Sequence, residues 1–240
     1  MIKHRKIQIF TDFDGTITLK DIGDELFKDF GKFEPYHTQL VKGKLKIDDY
    51  WNVVFKSLRT DLNKEIIAEY AMNFEIDNYF LEFYNFCKLN NIDLAIVSDG
   101  YYEYIHPVLE KHGLDQIKLY CNRMIFQDNG NIMPQFVYAS ESCNCLSASC
   151  KRNIILTKSE PDSILIYIGD GASDFCPAQY SDIIFAKKNL AKYCNDNKLP
   201  HYPFKDFYTI YMTLKNIITK NKIKPRNQAR ILRKIAFEIE

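Results

Sequence analysis

Residues Phe10–Thr18 read FTDFDGTIT: an apolar run with strand character empties into two carboxylates, a glycine and two threonines. On an extended chain alternate side chains leave on one face, so Asp12 and Asp14 share a face while the Asp14 carbonyl stays available as a ligand. Two acids this close repel an approaching phosphate ester unless a cation stands between them. The arrangement asks for a hard divalent metal with oxygen ligands, Mg2+ above all. A plain acidic turn with Gly15 at positive φ is the competing reading, but DxDGT directly after an apolar strand is more specific than a turn requires.

On this string the chain resembles the haloacid dehalogenase (HAD) superfamily, in the form of its phosphatases, because the superfamily's dehalogenases lack an acid at the Asp14 position. The resemblance implies that Asp12 is a nucleophile forming an aspartyl-phosphate and that Asp14 is the general acid and then base. Chemistry is compatible with that division: a carboxylate on a metal stays ionised, whereas one that must donate a proton needs a raised pKa.

The 240 residues, 46% apolar and 14% aromatic, suffice for one domain with an insertion. No apolar run approaches membrane-spanning length, and the first residues enter the first strand with no signal-type core, so a cytoplasmic protein is expected. The net charge of +1 is segregated: residues 220–240 hold seven Lys/Arg against two Glu, leaving the remainder near −4. Seven cysteines without an export signal favour reduced thiols or a metal over a disulfide framework.

Residues 19–77 read as an all-helical insertion, with helices from Asp21, over Tyr36–Lys44, Ile47–Leu58 and Leu62–Phe74, the last capped at Thr60–Asp61. Such an insertion resembles the C1-type cap of the phosphoserine-phosphatase-like subclass, and Tyr50 and Trp51 read as its core. Beyond it come a helix over Asn78–Leu89, a strand over Ile92–Val97 ending in Ser98, Asp99 and Gly100, a helix over Tyr101–His112 and a hairpin, Ile117–Phe126 with Ile132–Val137. Ser98 matches the superfamily's second motif, whose hydroxyl and nearby amides hold phosphoryl oxygens.

Cys143, Cys145 and Cys150 then fall within eight residues. Zinc would need a fourth ligand and a gap of about two to four residues, so a cysteine-rich loop without metal is the expectation. Lys151 opens the helix Arg152–Lys158, where the resemblance implies a cation paired with the nucleophile. Strand Ile164–Ile168 ends at Gly169-Asp170-Gly171, with Asp174 beyond. Asp170 would reach the cation directly and Asp174 would complete or orient its shell. Strand Ile183–Ala186 and helices near 189–195 and 206–218 complete an alternating pattern.

The expected fold is therefore α/β: a doubly wound parallel-sheet, Rossmann-like HAD core (1–18 and 78–219), a helical cap (19–77) and a basic C-terminal extension (220–240), read as a solvated helix after Pro225. The expected metal ligands for Mg2+ are Asp12, Asp14, Asp170 and Asp174. The expected substrate-binding residues are Ser98, Asp99, Gly100 and the cap acids Asp21 and Asp24. Further strings (YCN at 120, GDGASDFCPA, SDIIFA, DFYTI) resemble a group that holds the methionine-salvage methylthiopentenyl-phosphate phosphatase and the phosphoethanolamine/phosphocholine phosphatases. DFDGTIT and DFY lean to the first. Asp99 leans to the second, since a carboxylate facing an ammonium selects amines. A small phosphate ester is the expected partner, with no membrane and no nucleic acid. A catalytically silent protein of the same fold, or a nucleic-acid phosphatase using the basic tail, are the competing readings.

Overall fold

The computed structural model describes residues 5–239 apart from 141, 142, 144, 146 and 148. The expectations for the first four residues of the core, for Glu240 of the tail and for those loop positions lie outside the described residues. In chain order the elements are β1 (Ile7–Thr11), α1 (Ile22–Phe30), α2 (Tyr36–Val41), α3 (Ile47–Lys56), α4 (Lys64–Ala71), α5 (Phe80–Leu89), β2 (Asp93–Tyr101), α6 (Tyr102–Lys111), β3 (Lys118–Phe126) and β4 (Ile132–Gln135). There follow α7 (Lys151–Lys158), β5 (Ile164–Gly169), α8 (Phe175–Gln179), β6 (Ile183–Ala186), α9 (Lys188–Asp196), β7 (Tyr202–Pro203), α10 (Phe207–Thr219) and α11 (Asn227–Ile239).

The strands form one sheet in the order β4-β3-β2-β1-β5-β6-β7, parallel except for β4, which returns antiparallel beside β3. Both faces of β1 and β5 are covered, which is why their sequences are nearly continuous apolar runs. The two-residue period sends Ile9 into the layer with Phe80, Phe83, Ile105 and Phe207, and Phe10 into the opposite layer with Ile154, Ile155 and Tyr167. Strand order departs from β1 in both directions, so β1 borders the switch point where open α/β sheets gather ligands at their strand carboxyl ends. The two acids of DFDGT lie at that position.

Helices α1 to α4 lie between β1 and α5 and make up the helical segment that the sequence reading assigns to a cap. Its two linkers run against each other, with Leu19 N donating to Glu75 O (3.0 Å) and Asp77 N to Ile17 O (2.8 Å) around a bridge between Thr18 and Ile76. The cap core of Leu26, Phe27, Val54, Phe55 and Ile67 is fully or almost fully buried. It meets the core domain through aromatic contacts, Phe55 to Tyr101 at 5.1 Å and Trp51 to Phe136 at 6.2 Å between centroids.

Three local expectations change. Helix α4 is capped by Asn63, whose side chain accepts from Ile66 N (2.9 Å), because Asp61 is instead engaged by Arg59. Strand β2 runs on past Val97 to Tyr101 through a shift of register, and β7 had no counterpart in the sequence reading. One face of the basic tail is packed on the core, while Lys220, Lys222, Lys224, Arg230 and Lys234 stay exposed. Arg233 bridges to the buried Asp182 (3.1 Å) and donates to Tyr180 O (2.6 Å), Arg226 N donates to Asp182 (2.9 Å), and Ala229 is fully buried. Among the described residues no helix is long and apolar enough to cross a membrane.

If α11 is a docked element, Arg233→Ala should lower stability by about 1–3 kcal/mol, the loss for a partly buried charged hydrogen bond. Urea unfolding of the full chain measures this, and an unchanged midpoint would return the tail to the status of a solvated appendage.

Candidate active site

Three strand ends and one helix start converge under the cap on a cavity of about 230 Å3. Asp12 follows β1 directly, and its amide donates to Ile168 O (2.9 Å), which ties the residue to the end of β5. Lys151, the first residue of α7, is only 1% exposed and donates to Asp12 Oδ1 (2.6 Å) and Asp174 Oδ1 (2.8 Å). Burial alone would push the Lys151 ammonium down, but the two carboxylates outweigh it and hold its pKa above the ordinary lysine value.

Asp174 is fully buried and fully engaged. Its Oδ2 accepts from the amides of Asp170 (2.8 Å) and Gly171 (2.9 Å), and Oδ1 also accepts from Tyr167 OH (2.7 Å). Asp170 accepts from Thr16 Oγ1 (3.2 Å) and from Lys188 Nζ (2.8 Å). Gly15 is required here: its φ is +69°, and a Cβ would lie 2.7 Å from Asp170 Oδ2.

Asp14, two residues past Asp12, faces a different environment. Its Oδ1 accepts from Ile22 N (2.9 Å) at the start of the cap and its Oδ2 from Tyr104 OH (2.7 Å). Burial first, and the neighbouring Asp21 second, raise its pKa to about 8, while the Tyr104 hydroxyl opposes the rise by stabilising the anion. These surroundings favour the protonated form of Asp14. The cap acids follow the same trend: burial and Asp24 raise Asp21 to about 7, and burial raises Asp24 to about 6 against Lys28. Asp21 also caps α1 by accepting from Asp24 N (2.8 Å).

Of the expected metal ligands, the carboxylates of Asp12, Asp170 and Asp174 lie within 4.8 Å of one another, whereas the Asp14 carboxylate points away to Ile22 and Tyr104. Burial, with Asp174 and Asp170 nearby, opposes ionisation of Asp12, and Lys151 only partly offsets this. A dense set of buried hard oxygen donors with too little positive charge fits a divalent cation such as Mg2+.

Of the expected substrate residues, Ser98, Asp99, Gly100, Asp21 and Asp24 all line the cavity. Ser98 Oγ accepts from Gly100 N (2.9 Å), and a Cβ on Gly100 would fall 2.7 Å from Asp14 Oδ2. Asp99 is already engaged: its carboxylate accepts from Ser149 N (3.0 Å) and its carbonyl from Asn122 Nδ2 (2.7 Å). Tyr50 and Trp51, read from the sequence as cap core, also line the cavity, with Phe27, Leu40 and Ile47 making its apolar wall.

The sequence reading missed Tyr104, Tyr167 and Lys188. A lysine two residues past the end of β6, at the same carboxyl edge, was a signal for the last. Nothing local marks the tyrosines, whose hydroxyls reach the site through packing.

A family model described as Putative Phosphatase matches residues 7–200. The chain belongs to this phosphatase family. Among its relatives, the 2-hydroxy-3-keto-5-methylthiopentenyl-1-phosphate phosphatase of Bacillus cytotoxicus is 32% identical over 216 residues, covering 88% of this chain and 97% of the relative. The enzyme of the same name from Bacillus velezensis is 31% identical, covering 87% and 90%. The fold is shared with a phosphoserine phosphatase solved as a phospho-aspartyl intermediate analogue (TM-score 0.63, 22% identity, 90% of this chain and 99% of that one). It is also shared with a probable phosphoserine phosphatase of Vibrio cholerae (TM-score 0.66, 17% identity, 92% and 68%). This chain is a phosphatase on that shared fold.

The raised pKa of Asp14 gives a signed expectation. If catalysis uses the protonated acid, kcat/KM holds below that pKa and falls as pH rises through it. Tyr104→Phe removes a hydrogen bond to the anion, so the alkaline limb should move to higher pH. A limb that stays in place or moves down would sever Tyr104 from the titration of Asp14.

Proposed function

We propose that this phosphatase hydrolyses 2-hydroxy-3-keto-5-methylthiopentenyl-1-phosphate, with Mg2+, through an aspartyl-phosphate on Asp12. The observation that carries the reading is the pairing of two neighbouring buried acids held by different partners. Asp12 has one oxygen held by Lys151 (2.6 Å), leaving the other for attack on phosphorus, and Asp14 is a carboxylic acid with a pKa of about 8. In the first step Asp12 bonds to phosphorus as the ester oxygen leaves with the Asp14 proton. In the second, Asp14 takes a proton from water, which attacks phosphorus and releases phosphate and the Asp12 carboxylate. Lys151 balances charge on Asp12 throughout, and Ser98 Oγ with the amides beside it is placed to receive phosphoryl oxygens. Asp12 and Asp170, with the Asp14 carbonyl, would hold Mg2+, and Asp174, engaged by Lys151, Tyr167 and two amides, would orient the shell; the ion would supply charge neutralisation at the phosphoryl group.

The substrate assignment rests on the relatives at 32% and 31% identity, which act on this compound by name, and on the apolar wall of Phe27, Leu40, Ile47 and Trp51, which suits a methylthio group. The amine-phosphate reading keeps one specific observation: the acids Asp21, Asp24 and Asp99 line the same cavity. Against it, the Asp99 carboxylate is already committed to Ser149 N.

Two measurements test these assignments. The methylthiopentenyl phosphate should exceed phosphoethanolamine and phosphoserine in kcat/KM by about 10- to 100-fold, the range an apolar pocket supplies for a methyl-sized group. A preference for phosphoethanolamine that Asp99→Asn removes would establish the amine reading instead. Asp12→Asn should abolish turnover. Asp14→Asn should still be phosphorylated by an aryl phosphate with a good leaving group, while turnover drops by about 10²- to 10⁴-fold. Equal loss of phosphorylation and turnover would remove Asp14 from the proton-transfer role.

A further inference from the structure

The loop that precedes α7 carries Cys143, Cys145 and Cys150, and the fold adds Cys176 from α8, a position the sequence reading did not connect with them. The Sγ atoms of Cys143, Cys150 and Cys176 lie within 4.8 Å of one another, and those of Cys143 and Cys176 are 3.4 Å apart. Cys145, half-buried on the same loop two residues after Cys143, is available as a fourth thiol. Zinc–sulfur bonds of about 2.3 Å at the tetrahedral angle set sulfur–sulfur separations of about 3.8 Å, so these three sulfurs already approximate three corners of a thiolate shell that Cys145 would complete. We propose that Cys143, Cys145, Cys150 and Cys176 bind a structural Zn2+ ion, separate from the carboxylate site, that clamps the loop before α7 to the start of α8.

The surroundings suit a four-thiolate ion. On binding, the thiols release their protons to water and the complex carries two negative charges. Cys150 is the N-cap residue of α7, so the partial positive charge of that helix end faces its sulfur. Arg152, two residues after Cys150 and buried, adds a positive charge to the same helix start. Four soft ligands in tetrahedral reach select zinc over the hard cations that carboxylates prefer. Cys150 is 2% exposed and the other three are half-buried, which limits solvent attack on the bound metal.

The position gives the ion a purpose. Cys150 immediately precedes Lys151, and Cys176 lies two residues beyond Asp174. Joining the two cysteines holds together the chain segments that supply the buried Lys151–Asp174 pair. The loop also contributes Ser149, whose amide fixes Asp99, so the same clamp supports the phosphoryl end of the cavity.

The test is elemental analysis of the full-length protein, expressed with Zn2+ in the medium and dialysed against a weak chelator, together with the absorption spectrum after Co2+ replacement. The expected result is about one zinc per chain, retained alongside Mg2+, and a thiolate-to-cobalt charge-transfer band with tetrahedral visible bands. Cys176→Ser and, separately, Cys143→Ser should lower retained zinc by about tenfold or more, whereas Cys194→Ser, buried outside the cluster, should leave it unchanged. If one variant fails to fold, the zinc content and cobalt spectrum of the unsubstituted chain still decide. Iron in place of zinc, a disulfide within the cluster, or four titratable thiols with no retained metal would each overturn the proposal.

Discussion

A single ammonium group, that of Lys151, is sealed between two carboxylates at the meeting point of β1, α7 and the loop after β5. With 1% exposure it has almost no water to solvate it, and its charge is balanced by Asp12 at 2.6 Å and Asp174 at 2.8 Å. Removing one partner of such a buried pair typically costs about 3–5 kcal/mol, because the remaining charge is stranded. The fold therefore has to deliver all three side chains together. Asp12 is delivered by hydrogen bonding to Ile168 O, Asp174 by the amides of Asp170 and Gly171, and Lys151 by a helix packed through Ile154 and Ile155 on the sheet.

Around that pair the site separates two acids by environment. Asp12 sits between the Lys151 ammonium and the carboxylates of Asp170 and Asp174, on the core side. Asp14 turns toward the cap, where burial and Asp21 keep it protonated and the Ile22 amide and Tyr104 hydroxyl orient it. Because one of those partners is the first residue of α1, the cap takes part in setting the proton affinity of Asp14 as well as covering the cavity. The antiparallel linkers at Thr18 and Ile76 are the two crossings between cap and core, placed directly beyond the DFDGT turn. Movement of the cap about these linkers would couple substrate access to the state of the acid.

The parallel sheet was legible because strands covered on both faces leave continuous apolar runs, as in IQIFT and ILIYIG, and because ligand groups collect where such runs stop. Asp12, Ser98 and Asp170 announced themselves by that rule, and Lys151 by opening an apolar helix. The helical cap was legible from spacing, although its cap residue Asn63 was not, since Asp61 is drawn away by Arg59. The tail misled: its basic composition reads as solvated, yet Arg226 and Arg233 are anchored on Asp182, forty-four and fifty-one residues away in sequence.

The sequence by itself determined the chemistry: which carboxylates end strands, which lysine starts a helix, and where an all-helical segment interrupts the core. These are consequences of local periodicity and of the chain direction, and they survive without knowledge of packing. Tertiary structure decided the electrostatics. Tyr104 reaches Asp14 across ninety residues, Asn122 and Ser149 engage Asp99 from twenty-three and fifty residues away, and Cys176 meets Cys143 across thirty-three. A pKa, a committed hydrogen bond or a cluster of thiols depends on which groups share a buried space. That sharing is set only when helices and sheet close on one another.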